Sequence, residues 1–494
     1  MIRTSSLRSW MLAVLGLALL VAMATAIAGR GPWYDEFFTY YVTRPGPGLA
    51  ALWPVWLRDN HPPLFYFLAW LGNGFGPDFA RRRLINLGFA LAAAAALALL
   101  CRARPRLRPL AAPYVIALAS QLPAIDRVDE LRSNFLVYAT AAVAVAVLAE
   151  FARPHERRGP AALALLAGVL ALAFTEHLAA TMILGAVSAA FGLRLVLARD
   201  GRGAAELAGA GAIAALPFLG LMALQAGAIA QNTRSFWIPA GLSGARWAIE
   251  GEIIADLAAN PPLTLLGGIG LALLAGQSLR QRRLTPAASL ALTLAAGLVV
   301  AIVVLVAAHL QRPFIIDRYL VSLHPPLAML LACGVATVLA AAPAAIAVLG
   351  DLAMVVAALL AIAGHLERTL ARPSWDGTAT AIAALARACP ATVVHADMSW
   401  NAPVRDMPPV ENRAVFPYAY GWEAAHHGFA LAPEGARTLG NTCPTVFWTE
   451  HVKGVSVTAD GIAARLRGLG YPVAGGRLRR IGDGWILIVP PLVD

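Results

Sequence analysis

Charged residues are scarce in this chain of 494 residues, at 14% of the total, whereas hydrophobic residues make up 59%. The mean hydropathy is +0.66. A water-soluble fold of this length cannot bury so much apolar surface, so the composition excludes a soluble globular protein and indicates a polytopic membrane protein. The long apolar runs are rich in Ala, Leu and Val, which favours transmembrane helices over a β-barrel.

Cysteine is rare as well, with four in the chain and no CxxC spacing, so no zinc or redox motif is visible. The chain also lacks the internal repeat that is typical of a transporter. The net charge of +11 would suit nucleic acid, but the arginines stand in short clusters between apolar runs, which is typical of topology signals. We therefore predict no nucleic-acid partner. A polytopic lipid or glycan transporter or flippase is the alternative to an enzyme.

Eleven apolar runs predict transmembrane helices when the compact arginine clusters are assigned to the cytoplasm. The predicted spans are 10–28, 84–100, 111–125, 134–151, 161–176, 178–197, 204–224, 262–278, 287–309, 319–339 and 344–363. The apolar run within 61–76 is too short to span, so we predict that it is re-entrant or interfacial. Most polar loops then fall on the outer face, where function is expected.

The composition divides the chain into two predicted domains. Residues 1–363 hold the spans, with interfacial helices predicted in the first outer loop, 29–83. Residues 364–494 are more polar and read as a small periplasmic α/β domain. Its predicted elements are strands at 391–397, 444–451 and 485–489 and a helix at 460–469.

Cys389 and Cys443 precede the first two of these strands at the same offset, each followed by proline. If the two strands are parallel neighbours, the cysteines lie side by side. We therefore predict a Cys389–Cys443 disulfide, which an oxidising periplasm would permit.

The segment GPWYDEFFTYY (31–41) follows the first span and carries two adjacent acids, Asp35 and Glu36, among aromatic residues. A carboxylate at a membrane surface has one wet side and one apolar side, so burial and neighbouring groups tune its basicity. The segment is therefore a candidate catalytic site. The alternative is an interfacial aromatic belt with solvated acids.

Five segments of the chain, the first of them within 31–41, together carry a family resemblance. They are WYDE (33–36), NHPPLFYFLAW (60–70), RRRLINLGFA (81–90), DELRSNFLVYA (129–139) and DRYLVSLHPPLAMLLA (317–332). In this order they resemble the C-type glycosyltransferase (GT-C) superfamily, which includes bacterial lipid A aminoarabinose transferases, protein O-mannosyltransferases and rhizobial galacturonosyltransferases. The resemblance covers about residues 10–340. Residues 133–135 depart from the acid–Arg–Pro–Tyr pattern that relatives often show.

The resemblance implies a GT-C-like fold and the transfer of one sugar, with inversion, from a polyprenyl-phosphate donor. The implied acceptor is a glycan, lipid or protein of the cell envelope, reached from the periplasmic side of a bacterial inner membrane. Asp35 matches the catalytic base of the family, which would take a proton from the acceptor hydroxyl. His61 stands at a position linked to the donor phosphate.

The resemblance and the charge chemistry together predict further site residues. The other donor-phosphate candidates are Arg81, Arg82, Arg83, Arg132 and Arg318. The acceptor and positioning candidates are Glu36, Asp59, Asn60, Asp126, Asp129 and Tyr319. Because some relatives hold a divalent metal ion near the site, the resemblance implies Glu176 and His177 as candidate metal ligands. The alternative for that pair is a satisfied helix end.

Overall fold

The computed structural model describes residues 4–151, 153–234, 238, 240–396, 408–450, 458–482 and 484–491. The chain folds into two compact units. The first, here called the helical unit, combines Met1–Ala28 with Asp59–Thr369. The second, here called the mixed unit, combines Gly29–Arg58 with Leu370–Asp494, so the segment with the adjacent acids groups with the C-terminal part of the chain.

The protein is a polytopic α-helical membrane protein, as predicted. Nine helices in the described part of the chain are long and apolar enough to cross a membrane. These are Leu7–Gly29, Phe79–Ala103, Asn134–Phe151, Leu178–Leu197, Gly201–Asn232, Pro261–Gln281, Pro286–Gln311, Val321–Ala341 and Ala344–Leu370. The shorter helices of the helical unit are Leu64–Leu71, Arg108–Ser120, Pro123–Asp126, Pro160–Phe174 and Leu242–Ala259, with 3₁₀ turns at Gly72–Phe75, Pro105–Leu107, Asp317–Tyr319 and Val321–Leu323.

The predicted count of eleven spans is not confirmed, because two of the expected helices are short. Arg108–Ser120 has 13 residues and Pro160–Phe174 has 15. At 1.5 Å per residue they reach only about 20 to 23 Å of the roughly 30 Å hydrocarbon core. The first of them ends where Gln121 turns to an extended conformation and its amide donates 3.0 Å bonds to Asp256 and to the carbonyl of His324.

The helix Asn134–Phe151 is the most buried of the nine apolar helices, with 89% of its apolar window inside the protein. Its alanine-rich sequence lets neighbouring helices approach closely from all sides. The hydroxyls of Tyr114 and Tyr138 donate to backbone carbonyls and satisfy polar groups inside this apolar core.

Glycines bring two other helices, Pro261–Gln281 and His324–Ala341, into backbone contact. A Cβ atom on Gly270 would lie 1.9 Å from the carbonyl oxygen of Gly334, and one on Gly334 would lie 2.0 Å from that of Gly267. Small residues at a helix crossing permit this close approach.

The mixed unit contains a four-stranded sheet. Its strands are β1 (Val393–His395), β2 (Thr445–Thr449), β3 (Arg477–Ile481) and β4 (Gly484–Val489), in the order β1-β2-β4-β3. The β1–β2 pair is parallel, and the other two pairs are antiparallel. The helices of the unit are Tyr34–Val42, Leu49–Trp56, Trp375–Ala388, Asn412–His427 and Ala459–Gly468.

The small α/β fold of the C-terminal part was predicted, but β3 was not. Its sequence RLRRI is basic and mostly exposed because it forms an edge of the sheet, so it lacks the apolar pattern of a buried strand. Residues 397 and 451, the predicted ends of the first two strands, lie outside the described residues.

Cys389 and Cys443 form a disulfide with their Cα atoms 5.7 Å apart. The parallel register of β1 and β2, in which Val393 pairs with Thr445, brings the two preceding loops together. The two cysteines are 54 positions apart in the sequence, and the helix Asn412–His427 lies between them.

The glycine contact yields a paired stability test on one helix. Gly270→Ala should lower the melting temperature, because a methyl group there meets the backbone of Gly334, and overpacking costs about 1–3 kcal/mol. Gly268→Ala is the matched control, since nothing lies within 4 Å of its added Cβ. Both variants are to be measured in detergent by thermal denaturation. Equal melting temperatures would contradict the tight crossing.

Candidate active site

The adjacent acids Asp35 and Glu36 lie in the first turn of the helix Tyr34–Val42, where the positive end of the helix dipole favours carboxylates. Glu36 is completely buried, whereas Asp35 is partly exposed. Neighbouring residues on a helix point about 100° apart, so the two adjacent acids can differ in exposure in this way. Asp35 is therefore the acid of this pair that a solute can reach.

Aromatic contacts fix this helix within the mixed unit. The ring of Tyr34 stacks on Phe416 at 4.5 Å between centroids. The ring of Phe37 packs against Trp375 at 5.1 Å and edge-on against Trp422 at 5.7 Å. Buried aromatic pairs of this kind each add about 0.5–1.5 kcal/mol beyond their area, so the acid-bearing turn is held on a rigid support.

The end of the same segment is anchored by polar contacts that the sequence did not indicate. Arg58 pairs with Glu411, with 2.9 Å between Nε and Oε1. The indole N–H of Trp56 donates to the carbonyl of Val42 at 2.7 Å. The pairing of Arg58 and Glu411 spans more than 350 positions, so no local pattern could reveal it.

In the helical unit, the HPP segment builds a second polar site around Asp59. Its buried carboxylate accepts hydrogen bonds from Nδ1 of His61 at 2.9 Å and from the hydroxyl of Tyr66. Burial raises the pKa of Asp59, but the charge and hydrogen bond of His61, with the charge of Arg132, outweigh it and hold the pKa well below its usual range. An ionised Asp59 fixes the ring of His61 with Nδ1–H towards the carboxylate.

The backbone of this segment is held from another helix. The buried amide of Gln225, on Gly201–Asn232, donates to the carbonyls of Asp59 at 3.1 Å and His61 at 2.9 Å. The side-chain carbonyl of Asn60 is buried and has no hydrogen-bond partner among the described residues. Gln225 was not predicted, because a single amide at the end of an apolar run carries no local signal.

Three distant segments bring cationic and aromatic side chains together beside His61. The ring of His177 lies 5.5 Å from that of His61 and 4.4 Å from that of Tyr319. One guanidinium nitrogen of Arg132 lies 3.5 Å from each ring nitrogen of His61. Arg318 lies 5.7 Å from the ring centroid of Tyr319. We call these five residues the His61 cluster.

The electrostatic environment of the His61 cluster is positive. Burial lowers the pKa of His177 well below its usual range, and the positive charges of His61, Arg132 and Arg318 lower it further. The lowered pKa favours the neutral ring of His177, which lies in the positive field of Arg132 and Arg318. Such a cluster suits an anion with several oxygens, because guanidinium groups bind phosphate and carboxylate through charge-assisted hydrogen bonds.

Next to Arg132 in sequence, a buried ion cluster surrounds Arg127. Its guanidinium lies 3.2 Å from Glu130, 3.4 Å from Asp317 and 3.5 Å from Asp126. Burial lowers the pKa of Arg127, but these carboxylates raise it above its usual range. Asp126 and Asp129 were both predicted as positioning residues; Asp126 lies in this cluster, and Asp129 is completely buried. Arg127 and Glu130 were missed, although the run DRVDELR (126–132) showed the alternating charge.

The three adjacent arginines at the start of the helix Phe79–Ala103 differ in their surroundings. Arg82 and Arg83 are both 1% exposed. Arg82 donates to the carbonyl of Ala69 at 2.9 Å, and Arg83 donates to that of Ile27 at 3.3 Å. Arg81 is exposed, so of the three it is the one that solvent reaches.

Glu176 and His177 do not by themselves complete a metal site. Among the described residues, no third His, Cys, Asp or Glu brings a ligating atom to this pair. Nδ1 of His177 accepts the N–H of Ala179 at 3.1 Å and caps the following helix. Glu176 is completely buried, and neither carboxyl oxygen has a hydrogen-bond partner among the described residues. Burial raises the pKa of Glu176 well above its usual range, which favours the neutral acid.

Comparison with known proteins identifies the fold. No protein-family model matches the chain, and no curated protein matches it by sequence. The crystal structure of ArnT from Cupriavidus metallidurans in the apo state matches with a TM-score of 0.54 at 11% identity, over 97% of this chain and 98% of that chain. The same ArnT bound to undecaprenyl phosphate matches with a TM-score of 0.56 at 12% identity over the same shares.

An oligosaccharyltransferase from Archaeoglobus fulgidus, in complex with zinc and sulfate, aligns with 80% of this chain and 57% of that chain at 12% identity. Its TM-score of 0.41 is too low to support a shared fold. The two ArnT structures confirm the resemblance that the motifs indicated, at the level of fold: the chain has a GT-C-like fold.

The neutral state of Glu176 predicts a pH-dependent effect of Glu176→Gln. Above about pH 4.5, the ordinary pKa of glutamate, the unfolded chain releases this proton and the folded chain keeps it, so the wild-type protein loses stability as pH rises. The slope is at most about 1.4 kcal/mol per pH unit. Glutamine cannot titrate, so the stability of the variant should rise relative to that of the wild type as the pH increases above about 5.

The measurement is the melting temperature in detergent across that pH range. Glu367→Gln, at an exposed acid, is the control for the loss of a carboxyl group. Parallel curves for the wild type and Glu176→Gln would show that Glu176 is ionised in the fold.

Proposed function

We propose that this protein is an inverting glycosyltransferase that moves a single sugar from a polyprenyl-phosphate donor to a glycan, lipid or protein acceptor of the cell envelope. The reaction would take place at the periplasmic face of a bacterial inner membrane. The observation that carries the proposal is the His61 cluster, in which a lipid phosphate would find guanidinium and imidazole donors. The GT-C-like fold supports it, since the ArnT of similar fold binds undecaprenyl phosphate.

The phosphate chemistry follows from the cluster. The leaving group is a lipid phosphate, which is already a weak base, so its departure needs charge stabilisation more than a proton donor. Arg132 and Arg318 would supply that charge through bonds to phosphate oxygens. With Nδ1–H held by Asp59, Nε2 of His61 is the ring nitrogen left to meet a phosphate oxygen. Asp59 and Gln225 are then positioning residues for His61.

The base chemistry is assigned to Asp35. The acceptor hydroxyl attacks C1 of the sugar, the bond from C1 to the phosphate oxygen breaks, and the hydroxyl proton passes to the Asp35 carboxylate. A single displacement inverts the configuration at C1. Asp35 suits this role because it is partly exposed on a rigid helical turn, whereas its neighbour Glu36 is completely buried and is assigned a positioning role.

The remaining proposed residues have supporting roles. Tyr319 packs against His177 and would line the donor site, and Asn60 offers a buried carbonyl that lacks a partner among the described residues. Asp126 would act on the acceptor indirectly, through the ion cluster of Arg127, and the completely buried Asp129 is proposed as a positioning residue.

Asp35→Asn should abolish transfer while leaving the fold and donor binding intact. Asparagine keeps the size of the side chain but cannot accept the proton, and the loss of general-base help costs about 10²–10⁴-fold in rate. The measurement is turnover with a polyprenyl-phosphate sugar, with donor binding measured separately. Glu36→Gln should slow transfer less. If Asp35→Asn kept full activity and Glu36→Gln lost it, the general base would be Glu36 and not Asp35.

His61→Ala and Arg318→Ala should each weaken donor binding roughly tenfold or more, since one charged hydrogen bond is worth about 1.5–3 kcal/mol. Binding is measured with a fluorescent polyprenyl phosphate in nanodiscs. Arg246→Ala is the matched control, because that arginine is exposed and pairs only one turn away on its own helix, with Glu250. Wild-type affinity in both cluster variants would contradict the phosphate site.

A further inference from the structure

The mixed unit contains a second group of candidate ligands, apart from the pair at Glu176 and His177. Asp376 lies in the first turn of the helix Trp375–Ala388. Glu423 and His427 lie one turn apart at the end of Asn412–His427, on the same face of that helix. One ligating atom from each of the three residues lies within 4.8 Å of the others.

The spacing of these atoms matches a metal coordination shell. Nε2 of His427 lies 3.0 Å from Oδ1 of Asp376 and 3.4 Å from Oε2 of Glu423. Zinc binds imidazole nitrogen and carboxylate oxygen at about 2.0–2.2 Å, which separates the ligands of a tetrahedral site by about 3.3 Å. A cation could therefore enter the group with little rearrangement.

The state of Glu423 is an independent observation that points to a ligand. Its side chain is completely buried, and neither carboxyl oxygen has a hydrogen-bond partner among the described residues. Buried polar groups are nearly always hydrogen-bonded, because desolvating one without compensation is costly. The carboxylate is directed at Nε2 of His427, so a cation bound between them would supply the missing partner.

We propose that Asp376, Glu423 and His427 bind one divalent transition-metal ion, for which Zn²⁺ is the best match. One imidazole and two carboxylates favour such an ion over Ca²⁺ or Mg²⁺, which prefer oxygen ligands alone. Three protein ligands leave a fourth position for water. The partly exposed carboxylate of Asp376 gives the ion a route from solvent.

The position of this site in the mixed unit indicates a structural role. A Cβ on Gly31 would lie 2.4 Å from that of Asp376, so only glycine fits where the chain passes the site. The N–H of Trp375 donates to the carbonyl of Pro32 at 3.1 Å, and the Trp375 ring packs on Phe37. The metal would join the two helices that support the turn of Asp35 and Glu36.

The test uses the full-length protein in detergent, with any affinity tag removed. The protein is stripped with a chelator and titrated with Zn²⁺ alone. Bound metal is counted by elemental analysis, and the melting temperature is followed. We expect one zinc ion at this group and a rise in melting temperature. Asp376→Asn and His427→Ala should weaken binding at this site roughly tenfold or more, as loss of even an outer-shell partner costs that much.

His426→Ala is the matched control, since this neighbouring histidine is exposed and stacks on Trp422 at 4.8 Å instead of joining the group. It should bind zinc as the wild type does. The absence of stoichiometric zinc from the wild-type protein would overturn the proposal. An equal loss of zinc binding in His426→Ala and His427→Ala would also overturn it. So would zinc binding that persists in His427→Ala but is lost in His177→Ala. The wild-type titration decides the first result whether or not a variant folds.

Discussion

The compensation of buried charge is the constraint on which the site in the helical unit depends. Asp59 remains ionised in a buried position because His61, Tyr66 and Arg132 stabilise its negative charge. Breaking such a pair would leave an uncompensated buried charge, which costs about 3–5 kcal/mol. The same contacts fix the orientation of His61, so the stability of the segment and the geometry of the proposed donor site have one origin.

The positions of the acidic residues determine which arginines of the helical unit have their charge compensated. Arg127 is neutralised by three carboxylates. Burial lowers the pKa of His177, in contrast, and the positive charges of Arg132 and Arg318 lower it further. The His61 cluster is therefore the more favourable place for an anionic ligand to bind. In the mixed unit, the carboxylate of Glu423 is buried without a hydrogen-bond partner among the described residues, and a metal cation bound beside it would compensate its charge.

Much of the fold followed from the sequence, because long apolar helices and arginine clusters are local signals. The helix Arg108–Ser120 ends before the predicted end of its span at residue 125, because hydropathy cannot show that the chain turns at Gln121 to bind Asp256. The basic edge strand β3 gave no apolar pattern.

The candidate site was predictable only in part. Family motifs indicated Asp35, His61, Arg132 and Arg318, whose positions span most of the chain. The residues that position these side chains could not be identified from sequence motifs. Gln225 contacts a segment about 160 positions away, and Asp376 meets Glu423 and His427 only through the packing of two helices. Such long-range pairs leave no periodic or local trace.

The proposed reaction cleaves the bond between a sugar and a polyprenyl phosphate. The most direct measurement uses purified protein in liposomes with a donor that carries separate labels on the sugar and on the phosphate. The account predicts acceptor-dependent loss of sugar from the lipid, release of an equal amount of polyprenyl phosphate, and an inverted configuration at C1 in the product. A donor that binds and changes leaflet but keeps both labels would contradict it and indicate a flippase.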